Sequence, residues 1–306
     1  MSRGRRNCIH VNGIFLLDKP AWMTSNQALQ ASKLSFNACK AGHTGSLDPI
    51  ATGLLPICLG EATKISQFLL NADKRYRTVF KLGETTSTYD SEGEIVDKRP
   101  VSVSWGAVKR AVRRFEGEIE QIPPMYSAIK HGGKPLYKLA RKGVDVDRKP
   151  RRITVYRINC LDFKDDLLDL EIHCSKGTYI RALAHDLGQL LGCGAHIVNL
   201  RRLAVGELLV ERATGLKQLK AINTLSGREA LLLPIDVALS SLPDVHLTPL
   251  AAHYLCRGQP VSVRHPHGPG WVRLYGEGAR FLGMGQVLDD GRVAPRRLMV
   301  QSSRSD

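Results

Sequence analysis

The chain has 306 residues, 43% of them hydrophobic, enough for one large domain with a small one appended. It carries 44 Lys and Arg against 29 Asp and Glu, a formal +15 that calls for a polyanionic partner, nucleic acid before others. No run approaches the roughly 18 apolar residues of a membrane span, the basic Met1–Arg6 lacks a signal peptide's apolar core, and seven scattered cysteines without a Cys-x-x-Cys pair offer neither a zinc site nor a disulfide framework; a reducing cytoplasm is the expected setting.

In chain order, the apolar run Gly13–Leu17 followed by Asp18-Lys19-Pro20 reads as a buried strand closed by a turn. Thr24 or Ser25 can cap a helix through about Leu34. Next comes Gly42-His43-Thr44-Gly45-Ser46-Leu47-Asp48-Pro49-Ile50-Ala51-Thr52-Gly53, too broken for a long helix and too rich in glycine for an ordinary strand. It reads as a shaped loop running into a short strand at Leu54–Leu59. Glycines let other backbone come close, and against that small background stand one imidazole, His43, and one carboxylate, Asp48. Pro49 biases Asp48 toward extended backbone. By spacing alone Asp48 is either a helix N-cap, with Pro49 at the first helical position, or a carboxylate with chemistry to do.

Gly60–Thr63 begins a helix with Ile65, Phe68 and Leu69 on one face, and Lys64 lies off that face where it can reach a phosphate. Asp73-Lys74-Arg75-Tyr76-Arg77 feeds a strand at Thr78–Leu82. A tyrosine among cations suits stacking on a base, and equally a half-buried strand start. Asp90–Gly93 is a hairpin turn, and Ser104 caps a helix striped by Val108, Val112 and Phe115. Residues 130–157 hold ten Lys or Arg and two Asp, a net +8 in under a tenth of the length. Such a run is a solvated loop or an insertion that grips nucleic acid, with Arg141, Lys142, Arg151 and Arg152 as candidate backbone contacts.

Ile153–Phe163 and Leu168–Ser175 read as strands, the second alternating apolar and polar. It delivers Lys176-Gly177-Thr178-Tyr179-Ile180-Arg181 to the mouth of a helix striped by Ile180, Leu183, Ala184, Leu187 and Leu191 and ended by Gly192. His196–Val205 is strand-like. Pro234, Pro243 and Pro249 mark a linker. Beyond it, strand candidates at Pro260–Arg264, Trp271–Leu274, Phe281–Val287 and Leu298–Val300 make a small β domain of barrel size, with eight Arg and no Lys from 245 onward. His265-Pro-His267 is not read as a metal site, for two histidines without Cys or carboxylate nearby are a poor ligand set.

Five of these motifs, in this order, resemble the pseudouridine synthases of the TruB type. They are Asn12-Gly13 through Asp18-Lys19-Pro20 to Met23-Thr24-Ser25; Gly-x-x-Asp-x-x-Ala-x-Gly at Gly45–Gly53; the Tyr76 segment; Lys176–Arg181; and the Leu200 segment. The resemblance implies an α+β fold with a mixed, largely antiparallel central sheet flanked by helices over residues 1–240. It implies a basic thumb-like insertion at about 124–152 and a small barrel-like β domain of the PUA type at 245–306.

The implied activity is that of a tRNA pseudouridine-55 synthase, which flips a T-loop uridine out of its stack and isomerises it. Asp48 would be the nucleophile, Arg181 its ion-pair partner, and Tyr76 the base-stacking ring with a phenol placed for proton transfer. His43 would fill the gap left by the flipped base, and Tyr179 and Leu200 would complete the pocket. Isomerisation asks for no cofactor or metal, and neither a Walker A nor a Rossmann fingerprint is present. The expected partner is the T arm of tRNA, bound by a monomer without an obligatory protein partner or membrane. The lack of the lysine-rich tail of eukaryotic, guide-dependent relatives points to the stand-alone bacterial type. Two other readings are a tRNA-folding chaperone without catalysis, which would not need Asp48, Tyr76 and Arg181 together, and another RNA-modifying enzyme such as a methyltransferase, which would need a Gly-rich nucleotide loop.

Overall fold

The computed structural model describes residues 8–264 and 268–300; the basic Met1–Arg6 arm and the His265-Pro-His267 run lie outside them. The first half contains β1 (Gly13–Lys19), α1 (Ser25–Ser35), β2 (Ala41–His43), β3 (Thr52–Leu59), α2 (Ser66–Asn71), β4 (Lys74–Leu82), β5 (Glu84–Thr86), β6 (Ile95–Lys98) and α3 (Trp105–Arg113). Then come β7 (Gly117–Gln121), β8 (Lys130–His131), β9 (Lys134–Pro135), α4 (Leu136–Ala140), β10 (Arg151–Lys164), β11 (Leu167–Cys174), α5 (Ile180–Leu191) and β12 (Ala195–Val205). Short pieces close this part: β13 (Leu208–Leu209), β14 (Thr214–Gly215), α6 (Leu216–Ala221), α7 (Leu225–Glu229) and β15 (Leu232–Leu233).

Eleven strands form one mixed sheet, with the main path β14-β1-β3-β12-β4-β11-β10-β7. Along that path only β14–β1 and β3–β12 are parallel. The β3–β12 joint is short, with Arg201 opposite Thr52 and Arg202 opposite Gly53. Gly53 has φ +97°, and a Cβ there would collide with the Arg202 backbone, so glycine alone lets the two strands close. This seam joins two antiparallel halves.

Three helices form where capping and apolar stripes predict them, whereas the helix expected from Gly60 is a 3-10 turn through Lys64 and α2 begins only at Ser66. Thr24 and Gln27 make a capping box at the start of α1, Ser104 caps α3, and Gly192 ends α5 in left-handed backbone. Leu183 and Leu187 of α5 and Val108 and Val112 of α3 share one core with Phe15, Leu55, Phe80, Ile172 and Ile197 of the sheet. The other sheet face buries Ile14, Leu16 and Leu54 under Ile65 and Leu69. Residues 124–150, apart from α4 and the small β8–β9 hairpin, are irregular and largely exposed. Arg151 and Arg152 already belong to β10, paired with Gln121 and Glu120 of β7.

The C-terminal part has β16 (Asp244–His246), α8 (Pro249–Cys256), β17 (Gly270–Tyr275), β18 (Phe281–Val287) and β19 (Val293–Leu298), its strands ordered β16-β17-β18-β19 in a small PUA-like sheet. The strand expected at Pro260–Arg264 amounts to one bridge, Val261 to Val293, and the last strand ends at Leu298 where the expected one began. This sheet is no loosely tethered module. Met284 is fully buried in the core beneath α2, and Trp271 meets Phe68 edge-on at 5.5 Å.

The cysteine expectation needs one correction. Cys8 and Cys39 form a disulfide. The cause is tertiary: the N-terminal segment bridges at Ile9 to Ala38, and Cys39 N–H donates to the Ile9 carbonyl at 3.1 Å, which sets the two thiols side by side. Cys58, Cys174 and Cys193 are buried, as small hydrophobes should be.

Candidate active site

The Asp48 loop is shaped by contacts from three elements. At the start of α1, Ser25 Oγ accepts from Leu47 N–H at 2.7 Å and donates to the Leu47 carbonyl at 3.0 Å. Lys19, fully buried at the end of β1, donates to the carbonyls of Pro20, Met23 and Pro49 at 2.8, 2.6 and 3.2 Å. Burial draws its pKa down to about 8. Arg202 on β12 is also buried; its Nε donates to Leu54 O at 2.7 Å and one Nη to Gly45 O at 3.2 Å. Two buried cations thus clamp the two flanks of the loop through its carbonyls. No helix follows Asp48, since the chain enters β3 at Thr52, so the N-cap reading is set aside.

Asp48 meets Arg181 across the sheet, Oδ1 accepting from Nη2 at 2.9 Å. Arg181 lies in the first turn of α5, where the helix dipole disfavours a cation, so its surroundings must compensate. They do so with a second carboxylate, Asp90, 3.5 Å from Nε, and with the carbonyls of Thr88 and Tyr126 at 3.2 and 2.8 Å. Asp90 is buried and fixed by Thr88 Oγ1 and Glu92 N–H. A parallel bridge to Ile197 folds its turn back against β12. The Asp48 side chain, in contrast, remains 34% exposed. Burial pushes the Asp48 pKa up, Arg181 opposes that, and Asp90 adds to it.

Tyr76 on β4 stands opposite Arg202 on β12 and is buried. Burial raises its phenol pKa, while the Arg202 guanidinium, within hydrogen-bonding reach, works against the rise. Alternation puts Leu200 on the same face of β12 as Arg202, and sends Arg201 the other way to a bidentate pair with Asp18 at 2.9 and 2.8 Å. Tyr179 precedes α5, its backbone held in both directions by the Gln121 amide at 2.8 and 3.0 Å. His43 ends β2, and burial followed by Arg202 lowers its pKa, which favours the neutral ring. Its Nδ1 is buried without a protein partner.

Asp48, Arg181, Tyr76, Leu200 and His43 are therefore carried by the loop and by the strands and helix around the seam. Lys64 is not. It donates to Glu61 at 2.6 Å and to the Leu298 carbonyl at 2.7 Å, which turns it toward the C-terminal sheet. Arg141 and Lys142 are exposed beyond α4, and Arg151 and Arg152 are exposed at the start of β10. Sequence reasoning missed Asp90, read only as a turn residue, and Arg202, which looks like any strand cation until its burial is seen. The arrangement can hold one carboxylate oriented and open to a ligand beside a buried aromatic ring, with Arg181 favouring its ionised form against the burial.

Family models match nearly all of the described chain. "TruB family pseudouridylate synthase (N terminal domain)" covers residues 33–180, "tRNA pseudouridylate synthase B C-terminal domain" 181–240, and "Pseudouridine synthase II TruB, C-terminal" 243–299. A tRNA pseudouridine synthase B from Serratia proteamaculans is 50% identical over 98% of this chain and 99% of its own. One of the same name from Vibrio parahaemolyticus is 50% identical over 97% of this chain and 98% of its own. Among solved structures, the archaeal box H/ACA sRNP Nop10-Cbf5 complex superposes with a TM-score of 0.71 at 23% identity, covering 94% of this chain and 86% of that one, a likeness of fold. Identity at half of all positions along nearly the whole length settles kinship that the Asp48–Arg181 geometry by itself leaves open: the chain belongs to the TruB family of tRNA pseudouridine synthases.

Proposed function

We propose that the enzyme isomerises the uridine at position 55 in the T loop of tRNA, and that Asp48 supplies the carboxylate of the reaction. The observation that carries this reading is the Asp48–Arg181 contact at 2.9 Å, in which the arginine is sealed and the carboxylate is still a third exposed. A guanidinium partner favours the ionised carboxylate and aims it, and the free edge of that carboxylate can meet the reacting carbon. The glycosidic bond between C1′ and N1 breaks, the uracil turns, C1′ joins C5, and the C5 proton leaves as N1 takes one up. Tyr76 stacks on the base through this turn, and its hydroxyl serves proton transfer at C5 or the ribose. Leu200 and Tyr179 wall the pocket.

A uridine within a folded T loop must leave its stack, at a cost of a few kcal/mol, to meet Asp48. His43, neutral and with an unpartnered nitrogen, fills the vacated position. Residues 124–152 close on the phosphates of the T arm through Arg141 and Lys142, with Arg151 and Arg152 tracking the strand beside them. The enzyme does this as a monomer.

The test uses T-arm RNA tritiated at C5 of uridine. Tritium should pass to water in one equivalent per RNA, and replacing the position-55 uridine with cytidine should abolish release. Undiminished release from the cytidine RNA would move the target elsewhere.

A further inference from the structure

We propose that Trp22 is a stacking platform for a base of the substrate RNA next to the uridine that enters the site. The idea rests on the reading that Asp48 acts on a uridine. Three observations carry it.

The first is exposure. Trp22 is 73% exposed, more than any other Trp, Tyr or Phe among the described residues. An indole left in water is a large apolar surface with a flat face, the kind of group that gains most when something covers it.

The second is backbone conformation. Trp22 has φ +62°, left-handed backbone that bulky side chains rarely adopt and that glycine takes without strain. A ring is therefore presented from a position where local energetics favour having none.

The third is position and rigidity. Trp22 N–H donates to the carbonyl of Pro49, the residue after Asp48, at 2.7 Å. That carbonyl also takes the buried Lys19 ammonium, which holds the carbonyls of Pro20 and Met23 on either side of Trp22. The capping box at Thr24 fixes the chain immediately after. Through standard bond lengths, the Trp22 Cα lies no more than about 10 Å from that of Asp48. The platform and the carboxylate are parts of one braced unit.

RNA is the occupant these facts favour. A strand that presents a nucleotide to Asp48 comes within about one or two nucleotides' reach of Trp22, and drawing one base out leaves its neighbour short of a stacking partner. An indole replaces that partner whatever the base identity, since every base has a π face. One such stack changes affinity by roughly five- to 150-fold.

Trp22→Gly and Trp22→Phe test the proposal in the full-length enzyme, with T-arm RNA as probe. Glycine suits the left-handed position, so the Trp22→Gly protein should melt no lower than wild type. Its KM for tritium release should rise at least fivefold, with the loss on KM and not on kcat. The slope of log Kd against log salt should stay that of wild type, because no phosphate contact is removed. Trp22→Phe should recover most of the affinity. Indole fluorescence should be quenched by the RNA in wild type, and this component should vanish in Trp22→Phe. A KM within twofold of wild type for Trp22→Gly, or the same quench in Trp22→Phe, would overturn the proposal. So would an emission change that follows protein concentration without RNA, which would give the ring to a second copy of the chain. If wild type bound RNA with the Trp22-dependent quench but released no tritium, the reaction reading would fail and the platform would stand.

Discussion

Replacing Asp48 with Asn separates catalysis from stability because Arg181 has more than one counter-charge. An arginine with one carboxylate partner, stripped of it while buried, would cost about 3–5 kcal/mol. Here Asp90 remains 3.5 Å from Nε, and the Thr88 and Tyr126 carbonyls remain on the Nη atoms. In the Asp48→Asn protein the new amide oxygen can still accept from Nη2, so the loss is the charge assistance of one hydrogen bond, about 1 kcal/mol. Relief of the burial penalty on the Asp48 charge offsets part of that. At about 2–4 °C per kcal/mol for a domain of this size, the melting temperature should fall by no more than about 4 °C. Arg181→Met is the opposite case, leaving two carboxylates and two carbonyls without their cation, and its melting temperature should fall by roughly 6–20 °C. Thermal melts followed by circular dichroism measure both. Tritium release should drop by at least about 10⁴-fold in Asp48→Asn, with tRNA still bound. A fall beyond about 6 °C for Asp48→Asn would refute the shared counter-charge. Appreciable turnover by the same protein would take the nucleophile's role from it.

Arg202→Met removes the donor to Leu54 and Gly45 and the cation opposite Tyr76, and should lower kcat far more than it raises KM, with partial rescue in Arg202→Lys; wild-type kcat from a folded Arg202→Met protein would deny Arg202 any part in positioning Tyr76. Neutralising Arg141 and Lys142 together should flatten the salt dependence of tRNA binding by roughly 0.7–0.9 in log–log slope per phosphate contact, and a filter-binding series with unchanged slope returns the segment to a solvated loop. Asp186 is held at a pKa of about 6 by burial, above its unfolded value, so its contribution is intact below about pH 4 and is lost as pH rises through 6. Asp186→Asn should therefore gain on wild type by on the order of 1–2 kcal/mol between pH 4 and 7.5, after allowance for solvent screening, and urea midpoints that keep a constant gap would contradict this.

What could be read from sequence was what local pattern encodes. The stripe Ile180, Leu183, Leu187 announces α5 and so puts Arg181 at its start; the alternation in Leu168–Cys174 announces β11; the small residues around Asp48 announce a shaped loop. What stayed hidden depends on closure between distant strands. Asp90 becomes a partner of Arg181 only because its turn bridges to Ile197, and Arg202 becomes a buried clamp only because β12 closes on Gly53. Lys64 ends a 3-10 turn instead of standing on a helix, and the Leu298 carbonyl it meets is 234 residues further on. The prolines near 243 mark a linker in composition, while the burial of Met284 under α2 joins the two parts in a common core.

The seam has a consequence in time. Asp48 and Arg181 are 133 residues apart, and the Arg202–Leu54 contact spans 148. At a synthesis rate of about 5–20 residues per second, roughly 7–27 s pass on the ribosome between the emergence of the carboxylate and that of its arginine. During that interval β1 and β3 can pair, but the loop lacks both Arg181 and the Arg202 clamp. Closing so long a span is slow, because the chain entropy is lost before the contacts form. The pocket cannot be complete before β12 has emerged, so no part-length chain that stops short of Arg202 carries the whole set of contacts around Asp48.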